Sequence, residues 1–132
     1  MEIKRNEATI NRPEGDRVID APFVFISLPG FISQLKGEEA WQKNDRNGIT
    51  VFKTGNMTMV LTALHAGVEI KDNDVDGIVT LQVLEGAARI TTTEGDADAK
   101  EKDVIAFHPN VTHSVKALSD TVLLLINYEV TK

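Results

Sequence analysis

The sequence predicts an all-β domain, a sandwich or a barrel, on three observations. Seven β-type segments follow one another at short intervals from Ile49 onward. Turn-forming residues separate them, leaving no room for the crossover helices of a parallel sheet. Two of the strands also show by their patterning where the interior lies.

Residues 1–30 are mixed, with Arg12-Pro13-Glu14-Gly15-Asp16 as a turn-rich start. Between Pro22 and Pro29, Phe23-Val24-Phe25-Ile26 predicts a short edge strand, where proline is tolerated. Phe31, Ile32 and Leu35 share a face at helical spacing, followed by Glu38-Glu39-Ala40-Trp41. This predicts one short helix, or two turns interrupted at Gly37, with Phe31 and Trp41 as anchors. Asn47-Gly48 is a turn signal. The predicted strands are Ile49–Thr54, Met57–Leu64, Gly77–Leu84, Ala88–Thr93, Val104–Phe107, Ser114–Ala117 and Thr121–Tyr128. The chain thus divides into an N-terminal arm with a helical segment, residues 1–48, and a β-barrel, residues 49–132.

In Gly77–Leu84, Val79, Leu81 and Val83 share one face, giving a dry inner surface and a mixed outer one. The run Val122-Leu123-Leu124-Leu125-Ile126 is apolar on both faces and must be covered twice. Its second cover is either the N-terminal arm or another subunit, and each Leu or Ile buried contributes about 1.5–3 kcal/mol. A homodimer is the expectation; internal cover is the alternative.

Hydrophobic residues at 42% beside 26% charged fit a soluble globular chain. With 20 acidic against 14 basic side chains the net charge is −6, which repels nucleic acid and anionic membrane surfaces. The absence of cysteine excludes disulfides, thiolate metal sites and cysteine nucleophiles. Met1–Arg5 is not followed by an apolar stretch, so a cytoplasmic protein is expected. There is no Gly-x-Ser-x-Gly elbow, phosphate loop or dinucleotide fingerprint.

The stretch from Leu64 to Ala117 resembles the cupin family. Cupins carry a first motif of H-x-H, a few residues, Glu, six residues and Gly. Their second motif is Gly, five residues, Pro-x-Gly, two residues and His. Leu64-His65-Ala66-Gly67 resembles the turn leading into the first motif, and Val79 through Glu85-Gly86 its closing strand and turn. Lys102 through Val115 resembles the second, with Lys102, His108 and Asn110 replacing Gly, Pro and Gly. The resemblance implies a cupin-type double-stranded β-helix, a jelly-roll barrel open at one end.

In active cupins two His and a Glu from the first motif, and the His of the second, hold a divalent metal. Transferred to this chain, the glutamate position is Val79. The two histidines fall on Asp72 and Asp74, or on Asn73 and Val75 if the spacing is one residue shorter. His113 alone stands where a ligand should. No metal or other cofactor is therefore expected, because Val79, with Leu81 and Val83, puts methyl groups where charge would sit. A makeshift site of His113, Asp72 and Asp74 would prefer hard ions such as Mg²⁺ or Mn²⁺. Asp72-Asn73-Asp74-Val75-Asp76-Gly77 opens like a calcium loop, but the closing glutamate position is Val83.

The functional expectation is a non-catalytic small-molecule binding or sensing module. His113, Val79, Leu81 and Val83 are the pocket candidates, and imidazole can hydrogen-bond or protonate a ligand near neutral pH. The alternative is a cupin enzyme using Mn, Mg, Ni or Zn on a small polar substrate. His108 is expected to shape the turn before Pro109, and His65, beside Gly67, has a weaker claim still.

Overall fold

The computed structural model describes residues 1–73 and 76–129, with Asp72 and Asn73 described by their backbone alone. Its elements run β1 (Lys4–Asn6), β2 (Arg17–Asp20), α1 (Leu28–Gly37), α2 (Glu39–Lys43), β3 (Arg46–Lys53) and β4 (Met57–Leu64). They continue with β5 (Glu69–Asn73), β6 (Gly77–Glu85), β7 (Ala87–Thr92), β8 (Gly95–Lys100), β9 (Val104–Phe107), β10 (His113–Ala117) and β11 (Thr121–Glu129). No helix among the described residues is long and apolar enough to cross a membrane.

All pairing is antiparallel. A five-stranded sheet in the order β3-β4-β11-β6-β9 faces a four-stranded sheet in the order β5-β10-β7-β8. Between them lies the barrel interior, where Val79, Leu81 and Val83 meet Ile90, Phe107, Val115 and Leu123. The alternation of the sequence is what sorts them: odd-numbered residues of β6 face in and even-numbered ones face out.

The apolar strand β11 occupies the middle of the five-stranded sheet, between β4 and β6. Leu123 joins the interior cluster, while Val122, Leu124 and Ile126 belong to a second cluster behind the sheet. There they are covered from within the chain by Leu35, Phe31, Ile32 and Trp41 of the helical segment. The second face of β11 thus has an internal cover.

Helix α1 begins where Ser27 Oγ accepts a hydrogen bond from the Gly30 amide at 3.2 Å, with Pro29 in the first turn. It ends at Gly37, and the extended backbone of Glu38 separates it from α2. The Asn47 amide donates to Leu35 O at 2.9 Å, capping a carbonyl of the last turn.

Two segments and four strands differ from expectation. Asn47-Gly48 does not turn but runs inside β3, opposite Ala63 and Thr62, because its amide is committed to the helix end and to Glu38. Phe23–Ile26 joins no ladder: Ala21–Phe23 bend, and the chain passes straight into helix α1. The strands β1, β2, β5 and β8 were not apparent from the sequence. In β8 the inward positions are small, with Ala99 its buried residue, and β1 has no buried residue, whereas β2 buries Ile19 beside the polar Asp20.

Candidate ligand site at the barrel mouth

The register of β11, β6 and β9 sets a row of side chains at one end of the barrel. Asn127 pairs with Thr58 of β4 on one side and Val79 of β6 on the other, and Val79 pairs with Phe107 of β9. Neighbours across an antiparallel sheet point to the same face, so all four look inward. His113, first residue of β10, completes the row from the opposite sheet. Its ring lies on that of Phe107 with centroids 3.9 Å apart and planes 9° from parallel.

His113 is 2% exposed, and its Nδ1 lies 3.0 Å from Val111 O. A carbonyl only accepts, so in the neutral ring Nδ1 carries the proton and Nε2 keeps the lone pair. Asn127 Oδ1 is buried and, among the described residues, is the side-chain polar atom without a hydrogen-bond partner. It occupies the space a side chain at Gly77 would fill, 2.9 Å from where that Cβ would stand. The mouth therefore holds a desolvated acceptor and an imidazole nitrogen at the edge of an apolar floor.

Of the sequence candidates, Val79, Leu81 and Val83 share the inner face of β6 with exposures of 5%, 0% and 0%. They form the floor, with Val79 uppermost beside Phe107 and Leu81 and Val83 packed deeper. Asp74 and the side chain of Asp72 lie outside the described residues. His108 accepts from the Val111 amide through its carbonyl, within the turn before β10. His65 lies at the other end, stacked on Trp41 with its Nε2 2.7 Å from Trp41 O. Asn127 escaped the sequence reading. Its signal was a polar residue at the inward parity of Leu123 and Leu125 in an otherwise apolar strand.

Beside His113 lies a recess of about 180 Å³ lined by Thr91, Thr92, Thr93, Thr112, His113 and Ser114; Asn127, Val79 and Phe107 are not in its lining. Wider grooves of about 730 and 830 Å³ follow the N-terminal arm instead. The arginines along them are engaged: Arg5 with Asp16, Arg12 with Glu38, and Arg17 with backbone carbonyls. Three groups pairing off in this way describe an arm being pinned down, so the mouth is the better chemical site.

A divalent metal does not fit the described donors. No three His, Asp or Glu side chains converge among the described residues. At the row itself Val79 and Phe107 are hydrocarbon, and among the described side chains there His113 offers one imidazole nitrogen where catalytic zinc sites use three protein ligands.

The backbone carries a further mark. Lys102 and Asn110, standing where cupins have glycine, adopt φ of 78° and 63°, the positive-φ residues other than glycine among those described. The turns keep a glycine's conformation after losing the glycine.

No protein-family profile matches the sequence, and no curated protein matches it. Solved structures do. A cupin superfamily protein from Desulfitobacterium hafniense DCB-2 is similar at 15% identity and a TM-score of 0.68, over 85% of this chain and 95% of that one. An RmlC-like cupin from Desulfovibrio desulfuricans shares 21% identity at a TM-score of 0.58, over 63% and 81%. A conserved protein of unknown function from Streptococcus pyogenes shares 19% at 0.63, over 68% and 79%. Because β3 to β11 make up about two thirds of the chain, the first match must extend into the N-terminal arm. The nine-strand barrel, the left-handed turns at Lys102 and Asn110 and these structural likenesses agree: the chain has the cupin fold.

Proposed function

We propose that this cupin-fold chain is a non-catalytic small-molecule binding or sensing module, with its site at the barrel mouth and no metal ion. The observation that carries this reading is the orphaned acceptor Asn127 Oδ1. A buried acceptor without a donor costs about 1–3 kcal/mol, a cost that a ligand donating to it would remove. His113 Nε2 is a second acceptor in the same row. The ligand class is therefore a small neutral or cationic molecule with two hydrogen-bond donors, such as a primary amide, amine or polyol. Its apolar part would rest on Val79 and Phe107. The recess of about 180 Å³ against His113 is below the size of a drug-like pocket, so only a few heavy atoms fit beside that imidazole.

The test is thermal shift and calorimetry with a panel of small amides, amines and polyols on wild type and Asn127→Leu. Leucine removes the orphan, so the free variant should be as stable as wild type or more so, yet lose the ligand response. Equal ligand shifts in both proteins would count against the site. So would a variant destabilised by several kcal/mol, since that marks a structural amide.

A further inference from the structure

The larger groove along the N-terminal arm, about 830 Å³ between β1 and the end of β3, has Lys4, Lys53, Thr50, Thr54 and Gly55 in its lining. The other ionic groups lining it are Arg5 and Glu2. Arg5 is paired with Asp16, but neither Lys4 nor Lys53 forms an ion pair among the described residues. Asp20, the cross-strand partner of Lys4, is buried and makes no ion pair with it. Three cations thus stand against one carboxylate in this lining, in a chain whose net charge is −6. Gly55 adds a backbone donor. Beside it in the β3–β4 turn, the Thr54 N–H donates to Met57 O at 2.9 Å and Asn56 O accepts from the Glu129 N–H at 2.7 Å. The Gly55 N–H has no partner among the described residues, and nothing lies within 4 Å of where a Cβ would stand there. A ligand atom can therefore approach this backbone closely.

We propose that this groove binds the phosphate group of a small phosphate monoester. The site is separate from the recess beside His113, with which it shares no lining residue. Three considerations select a phosphate. The ammoniums of Lys4 and Lys53, the hydroxyls of Thr50 and Thr54 and the Gly55 amide are all donors to an oxyanion, and a phosphate monoester brings three strong acceptor oxygens. Its charge of about −2 at neutral pH matches the two unpaired lysines, whereas a carboxylate offers one charge and two oxygens. Elsewhere the acidic surface repels an anion, so a cationic groove is where such a ligand gathers. Ile19 gives the carbon part of the ester an apolar wall. Glu2, in the same lining, repels a second anionic group and so favours a single phosphate.

Calorimetry and amide NMR of the full chain with phenyl phosphate test this, with phthalate as a dicarboxylate on the same ring and the ionic strength held constant. Wild type should bind phenyl phosphate more tightly than phthalate, and the Gly55 amide signal should shift during the titration. Lys4→Ala/Lys53→Ala should bind phenyl phosphate at least about tenfold more weakly. Lys100→Ala/Lys116→Ala removes the same charge from the four-stranded sheet and should bind as wild type does. All four lysines are exposed, so circular dichroism should show both variants folded. Absence of binding by wild type, phthalate bound as tightly as phenyl phosphate, or an unmoved Gly55 amide would each overturn the proposal. So would a Lys4/Lys53 variant that binds like wild type, or equal weakening in the two variants.

Discussion

The imidazole of His113 lies flat on the ring of Phe107, and Phe107 is the cross-strand partner of Val79. Val79, the position that the cupin resemblance gives to a carboxylate, thus stands beside an aromatic pair. Returning the carboxylate as Val79→Glu should not rebuild a site but bury a charge with a single weak partner. We expect a loss of about 3 kcal/mol or more, read from urea unfolding at neutral pH. A variant as stable as wild type would mean that this end of the barrel is wetter than its packing indicates.

Lys102 holds a left-handed backbone, at a cost of about 1–2 kcal/mol for a residue with a Cβ. Lys102→Gly should therefore stabilise the protein by about 0.5–1 kcal/mol after the entropy of glycine is counted. Asn110→Gly should gain less, since asparagine tolerates this region. Chemical denaturation of the two variants checks the order.

These two residues show how far the sequence could be read. The barrel strands were legible because their apolar residues alternate, and the turns because glycine, asparagine and proline punctuate them. The ranges Met57–Leu64 and Val104–Phe107 were legible to the residue. β5 and β8 were not, because Glu69-Ile70-Lys71-Asp72-Asn73 and Gly95–Lys100 are rich in charged and polar residues, and β8 is exposed except at Ala99; Arg89 pairs with Asp98 across β7 and β8. In the site, His113 and Val79 were visible through motif spacing, whereas Asn127 depends on the register of β11 against β6. Register is set by tertiary pairing rather than by local pattern.

The helical segment should be required for the barrel, because it covers the outward face of β11. Leu35 is fully buried against Ile49, Leu61 and Val122 in that cluster. Leu35→Ala should cost about 2–5 kcal/mol by leaving a cavity there. Thermal unfolding followed by circular dichroism gives the value; a loss well under 1 kcal/mol would mean that the helix is only loosely docked.

Glu38 ties the arm, the helices and β3 together. It accepts from Arg12 Nε at 3.1 Å, from Asn47 Nδ2 at 3.1 Å and from Gln34 Nε2 at 3.2 Å. Burial opposes its charge, but the hydrogen bonds from Asn47, Arg12 and Gln34 outweigh this and hold the carboxyl below its ordinary range. A depressed folded-state value contributes stability above the unfolded value and loses it as pH falls through the folded one. Wild type should therefore lose stability on acidification below the usual glutamate range, and Glu38→Gln should lose that part of the dependence. Unfolding midpoints from neutral pH to pH of about 3 test the difference.

The most direct measurement of the central claim is elemental analysis of protein purified without chelators or a metal-affinity tag. If hydrocarbon replaces the metal seat beside His113, then Mn, Fe, Ni and Zn should all be well below one equivalent, in wild type and His113→Ala alike. One equivalent of any of them in wild type, absent from His113→Ala, would contradict the account.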